Sequence, residues 1–128
     1  MIEPFTPSLK PMRRIVIIDD DPAFALTFTK MLSSLGYGDA ISTDASYVFD
    51  LSDDDVVFLD VLMPNTSGLQ VLDQLANQGR KSAIVLMSGN SEQLDQAQKY
   101  AERLDLNLIG ALDKPFRLDA VEAVLEGT

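Results

Sequence analysis

The chain has 128 residues, 46% of them hydrophobic, with no Cys, no His and a formal net charge of −10. This length and hydrophobic content suit one globular domain with its own core, while the charge argues against direct contact with nucleic acid or an anionic membrane. Disulfides, thiol nucleophiles and His-based reactions are excluded, which leaves carboxylate, hydroxyl, lysine and backbone chemistry.

Residues 1–12 carry three prolines and read as an extended arm, without the basic-then-apolar order of a secretory signal. No apolar run approaches the ~20 residues of a membrane span, so a cytoplasmic protein is expected. Arg13–Ile18 then forms a buried-strand pattern of four β-branched residues that stops at Asp19-Asp20-Asp21-Pro22. Asp21 is a suitable N-cap and Pro22 a suitable first-turn residue. Phe24, Leu26, Phe28, Met31, Leu32 and Leu35 follow at helical spacing, and Gly36 ends the run. Ala40–Ser42 predicts a short strand and Asp44–Phe49 a short helix.

Val56–Leu59 is the most strand-like run in the chain, and Asp60 follows it directly. Pro64 and the polar residues to Gly68 then break the chain into a loop. Alone, Asp60 reads as an acid that ends a strand and caps a turn. Beyond it, Ser67 caps a helix carrying Leu69, Val71, Leu72 and Leu75 that stops near Gly79. Ala83–Met87 predicts a fourth strand ending at Ser88, and Leu94, Ala97, Ala101 and Leu104 mark a helix. Ser91 and Leu94 do not make a capping box there. Leu106–Leu112 predicts a fifth strand before Asp113-Lys114-Pro115-Phe116, and Leu118, Val121, Val124 and Leu125 a final helix.

Strict alternation of strand and helix with short connections predicts an α/β fold. Its form is a flavodoxin-like doubly wound (βα)5, with a five-stranded parallel sheet in the order 2-1-3-4-5. That order makes the first and third strands neighbours, so Asp19, Asp20 and Asp60 converge in one crevice. Three carboxylates there repel one another unless a cation neutralises them, and Mg2+ (or Mn2+) with oxygen ligands suits the site. One carboxylate can then act as a nucleophile toward a phosphoryl group. Ser88 and Lys114 place a hydroxyl and an ammonium at the ends of the fourth and fifth strands.

Ile17–Pro22, Phe58–Pro64, Val85–Gly89 and Leu112–Phe116 together resemble the receiver domain of two-component response regulators. Each motif alone is common, but four in order at four strand ends are specific. The resemblance covers Arg13 to Leu125 and implies a receiver domain over residues 13–128. It implies a phosphoacceptor switch in a phosphorelay, with Asp60 charged from a phosphohistidine on a sensor histidine kinase or histidine phosphotransfer protein. Such a chain is not an enzyme toward other substrates, although it can catalyse its own phosphorylation and dephosphorylation. Asp20, Asp60 and the backbone carbonyl of Leu62 would bind the metal, with Asp19 acting through water. Ser88 takes the switch-hydroxyl position, Lys114 holds phosphoryl oxygens, and the Lys114–Pro115 bond is expected to be cis.

Two positions depart from the family pattern. Ala111 stands where an aromatic usually couples to the switch hydroxyl, and Leu62 where many receivers carry a polar side chain. The output surface implied by the resemblance comprises the fourth helix, fifth strand and fifth helix, through which a phosphorylation-induced homodimer would form. Asp105–Phe116 also resembles receivers fused ahead of cyclic-di-GMP phosphodiesterases, which implies either an N-terminal piece of a longer regulator or a stand-alone receiver. The rival functions are a pseudo-receiver that binds partners unphosphorylated, a metal-dependent phosphatase and a flavin carrier. Leu62 lacks the second carboxylate such a phosphatase would use, and Asp19-Asp20-Asp21 would repel a flavin phosphate.

Overall fold

The computed structural model describes residues 13–63 and 66–127. The expected arm at 1–12 and the loop-breaking Pro64 lie outside the described residues. Strands β1 (Ile15–Ile18), β2 (Ile41–Thr43), β3 (Val56–Asp60), β4 (Ala83–Ser88) and β5 (Leu108–Asp113) build one sheet. Helices α1 (Pro22–Ser34), α2 (Gly68–Asn77), α3 (Ser91–Arg103) and α4 (Leu118–Glu126) connect and cover it. All pairings are parallel and the order is β2-β1-β3-β4-β5, as the alternating pattern predicts.

The sheet is buried on both faces at β1, β3 and β4, which explains their unbroken apolar runs. Ile15, Ile17, Val56, Phe58, Val85 and Met87 point to the side covered by α1 and α4, with Phe28, Leu32, Val121 and Leu125. Val16, Ile18, Val57, Leu59, Ile84 and Leu86 face α2 and α3, with Leu72, Leu75, Leu94 and Ala97. On that second side the Tyr100 hydroxyl donates to the Asp73 carboxylate and ties α3 to α2. On the first side Gly110 lets α4 come close, because a Cβ there would stand 3.0 Å from a Val124 methyl. No helix among the described residues is long and apolar enough to cross a membrane.

Several local details differ from the sequence expectation. The predicted short helix after β2 is a 3-10 helix, Ala45–Asp50, capped by Asp44 and burying only Val48. Six residues are too few to propagate an α-helix past its costly first turn, and the run stays a tight 3-10 turn. The helices counted as fourth and fifth in the sequence are therefore α3 and α4. β2 begins at Ile41, one residue later than expected, and β5 begins at Leu108, because Asp105 turns the chain at φ +58°. Asn90, immediately before Ser91, caps α3 by accepting from the Gln93 N–H. Leu26 lies on the solvent side of α1, 59% exposed, so Ala25 takes the buried place expected for it. Leu69 and Leu118, at the starts of their helices, are partly exposed as well.

At the amino ends of β1 and β3 a half-buried ion pair links the two strands. Arg14 Nε donates to Asp55 Oδ1 at 3.0 Å and Nη2 to Oδ2 at 2.6 Å, while Nη1 reaches the Tyr47 hydroxyl at 2.9 Å. Asp55 Oδ2 also accepts from the Ser52 N–H at 2.8 Å. Burial alone would raise the Asp55 carboxyl, but the Arg14 and Ser52 hydrogen bonds and the Arg14 charge hold it below the usual carboxylate range. A depressed carboxyl stabilises the fold above its unfolded-state pKa, and the contribution is lost as pH falls through the lowered value. Asp55→Asn should therefore lose about 2 kcal/mol of unfolding free energy at neutral pH. Urea melts should show the gap from wild type narrowing below about pH 4.

Candidate functional site

The carboxyl ends of the strands meet in one crevice. Asp19 follows β1, Asp60 is the last residue of β3, Ser88 the last of β4, and Lys114 follows β5. Asp60 sits opposite Met87 and Ser88 opposite Asp113 in register, so these strand ends lie side by side. A Lys114 N–H bond to the Ser88 carbonyl at 2.8 Å carries the pairing one residue beyond β5.

Asp19, Asp20 and Asp60 bring one carboxylate oxygen each within 4.8 Å of one another. Asp19 and Asp60 are buried and Asp20 is exposed, so the cluster opens to solvent through Asp20. Lys114 Nζ donates to Asp19 Oδ2 at 2.7 Å and lies 3.6 Å from Asp60 Oδ2. Asp60 Oδ1 accepts from the Leu62 N–H at 3.1 Å, and Asp19 Oδ1 from the Asp21 N–H at 2.9 Å. Burial, then the charge of Asp19, pushes the Asp60 carboxyl up to about 6 against the pull of Lys114. The donors are all hard oxygens and the negative charge exceeds the one ammonium beside it, a combination that fits Mg2+.

Other expected site features have distinct places. Ser88 is fully buried, and its hydroxyl oxygen accepts from the Asn90 N–H at 3.0 Å. The Lys114–Pro115 bond is cis, and Asp21 caps α1 through the Ala23 and Phe24 amides. Leu62 is 43% exposed beside Asp60. Ala111 pairs with Leu86 and packs on the α3 side of the sheet. Ser67 caps α2 in a full capping box with Gln70.

Residue patterns had not signalled two neighbours of the site. Gly68, the first residue of α2, lies so close to the strand exit that a Cβ would stand 2.8 Å from the Val61 Cα and 3.2 Å from the Asp60 carbonyl. Phe24, expected only as a core residue, has its ring 3.9 Å from Lys114 Nζ. The Phe24 contact joins segments 90 residues apart in the chain, while the Gly68 contact is local but depends on how tightly α2 turns back onto the end of β3.

Residues 15–126 match the response regulator receiver domain family. The chain belongs to that family. The receiver is 34% identical over 113 residues to the response regulator MprA of Mycolicibacterium vanbaalenii, an alignment covering 86% of this chain and 47% of MprA. It is 28% identical over 107 residues to the transcriptional regulatory protein CpxR of Escherichia coli, covering 82% of this chain and 44% of CpxR. The receiver thus spans less than half the length of these curated relatives. A response regulator structure from Colwellia psychrerythraea superposes with a TM-score of 0.79 at 25% identity, over 90% of this chain and 94% of the other. The fold is also that of the Thermotoga maritima protein TrrA, solved in complex with Mg2+-BeF, with a TM-score of 0.72 at 21% identity over 89% and 96% of the two chains.

A raised carboxyl pKa means that the folded receiver loses stability as pH climbs from the unfolded value of about 4 through about 6. Asp60→Asn should remove that loss and make the cation-free protein about 1 kcal/mol more stable at neutral pH. Thermal or urea melts in chelator should show it. Added Mg2+ should stabilise the wild type more than the variant.

Proposed function

We propose that Asp60 is the phosphoacceptor of this receiver, charged by a phosphohistidine on a sensor kinase or phosphotransfer protein. The single observation that carries this reading is the Asp19, Asp20 and Asp60 cluster with Lys114 against it. An Asp60 carboxylate oxygen forms the new bond to phosphorus as the donor P–N bond breaks. The bond electrons stay with the imidazole nitrogen, which takes up a proton. Asp19, Asp20, Asp60 and the Leu62 carbonyl would hold Mg2+ (or Mn2+), which when bound screens charge between the carboxylates and the incoming phosphoryl oxygens. Lys114 supplies a second positive charge to those oxygens, and the Ser88 hydroxyl a hydrogen bond once it leaves the Asn90 amide. Asp19 contributes mainly through water. Residues 13–128 form the working unit, in the cytoplasm.

The output is carried by α3, β5 and α4, through which phosphorylated chains pair. Ala111 removes the aromatic side chain that usually follows the switch hydroxyl, so the position of α3 itself has to report the change. The resemblance of Asp105–Phe116 supports reading this receiver as the N-terminal part of a longer cyclic-di-GMP-related regulator.

Acetyl phosphate with Mg2+, followed by intact mass, should add one phosphoryl group to the wild type and none to Asp60→Asn. No gain by a wild type that still binds Mg2+ would favour an unphosphorylated interaction module instead. The exposed, apolar Leu62 beside Asp60 disfavours an attacking water and lengthens the phosphoryl lifetime. Leu62→Asn should accordingly lose phosphate several-fold faster, because its amide can hold an attacking water by a hydrogen bond where Leu62 offers none. An unchanged decay rate would remove Leu62 from the account.

A further inference from the structure

The Lys114 ammonium has a third neighbour besides its two carboxylates. Its Nζ stands 3.9 Å from the centroid of the Phe24 ring, well inside the ~6 Å reach of a cation–π contact. Phe24 belongs to the first turn of α1, and its amide donates to Asp21 Oδ1 at 3.2 Å. The Asp21 amide in turn donates to Asp19 Oδ1, and Asp19 Oδ2 accepts from Lys114. Ring, cap, carboxylate and ammonium therefore close a circuit between α1 and the end of β5.

The ring itself is held firmly. Its centroid lies 5.7 Å from Phe28 and 5.7 Å, edge to face, from Phe116. Phe28 packs on Phe116 at 5.2 Å and on Phe58 at 4.9 Å. Phe58 precedes Asp60 by two residues and Phe116 follows Lys114 by two, so one aromatic cluster joins the chain on either side of the crevice. A lysine head is a point charge on a flexible stem, and one carboxylate fixes its distance more than its direction. An aromatic face adds a second hold without adding negative charge to a crevice that already has three acids.

We infer that Phe24 is a positioning residue for phosphoryl transfer, its ring holding the Lys114 ammonium toward Asp60. The inference rests on Asp60 being the phosphoacceptor. Lys114 touches the transferred group, and Phe24 acts through it.

The test measures the rate of phosphorylation by acetyl phosphate at saturating Mg2+ for wild type, Phe24→Met, Phe24→Tyr and Phe28→Leu, with a urea melt on each. Phe24→Met keeps bulk but loses the ring, and should slow phosphorylation about fivefold. Phe24→Tyr restores an aromatic face and should stay within about twofold of wild type. Phe28→Leu removes a ring that packs on Phe24 but does not reach Lys114, and should lose stability while slowing phosphorylation clearly less than Phe24→Met does. In protein labelled with 13C at the lysine ε position, Lys114 (assigned through Lys114→Arg) should show ring-shifted ε protons. That shift should vanish in Phe24→Met and persist in Phe24→Tyr.

A wild-type rate in Phe24→Met overturns the inference while leaving Asp60 as phosphoacceptor. So does an absent ring shift in the wild type, or a Phe28→Leu rate that falls as far as that of Phe24→Met. No phosphoryl gain by the wild type removes the reading of Asp60 and this inference with it. If Phe24→Met does not fold, Phe24→Leu takes its place under the same criteria.

Discussion

Two buried carboxylates side by side at the end of a parallel sheet are the constraint on which this molecule turns. Asp19 and Asp60 are each almost without solvent, and water cannot screen them from one another. The fold answers with one ammonium, from Lys114, bonded to the first and within reach of the second. That leaves negative charge unbalanced, and the unbalanced part opens outward through Asp20. A site of this kind is stable enough to fold and is still short of positive charge. A divalent ion would answer that shortage, and a phosphoryl group on Asp60, as proposed, would add to the demand on the same ammonium.

The opposite end of the sheet shows what a fully balanced arrangement looks like. Arg14 and Asp55 meet fork to fork, and Tyr47, Ser52 and the Asp50 carbonyl take further bonds of the pair. Acid and base there match in number and geometry, whereas at the carboxyl end they do not. The same strands, β1 and β3, carry both, which places a fixed base beneath a reactive rim.

Much of this was legible from residue order. The runs Ile15–Ile18, Val56–Leu59 and Ala83–Met87 are apolar throughout because both faces of each strand are covered, and that signature is hard to mistake. The alternation then fits the flavodoxin-like doubly wound order, and that order places the ends of β1 and β3, with Asp19, Asp20 and Asp60, side by side. What stayed hidden depends on contacts between distant segments or on small differences in local geometry. Leu26 fits a helical stripe by type yet falls on the wet side by angle. Ala45–Asp50 has the letters of a helix but is too short to complete an α-helical one. The Arg14–Asp55 pair joins residues 41 positions apart. Phe24 looked like one more core aromatic, and only the packed structure reveals a cation against its face.

The contact beneath Gly68 has a mechanical meaning. With no room for even one carbon between the start of α2 and the backbone of Asp60 and Val61, the helix is seated directly on the strand exit. Its flank is fastened to α3 through Asp73 and Tyr100. A lever seated at one end and pinned along its side has little slack. The first turn of α2 is thus in direct steric contact with the backbone that carries Asp60.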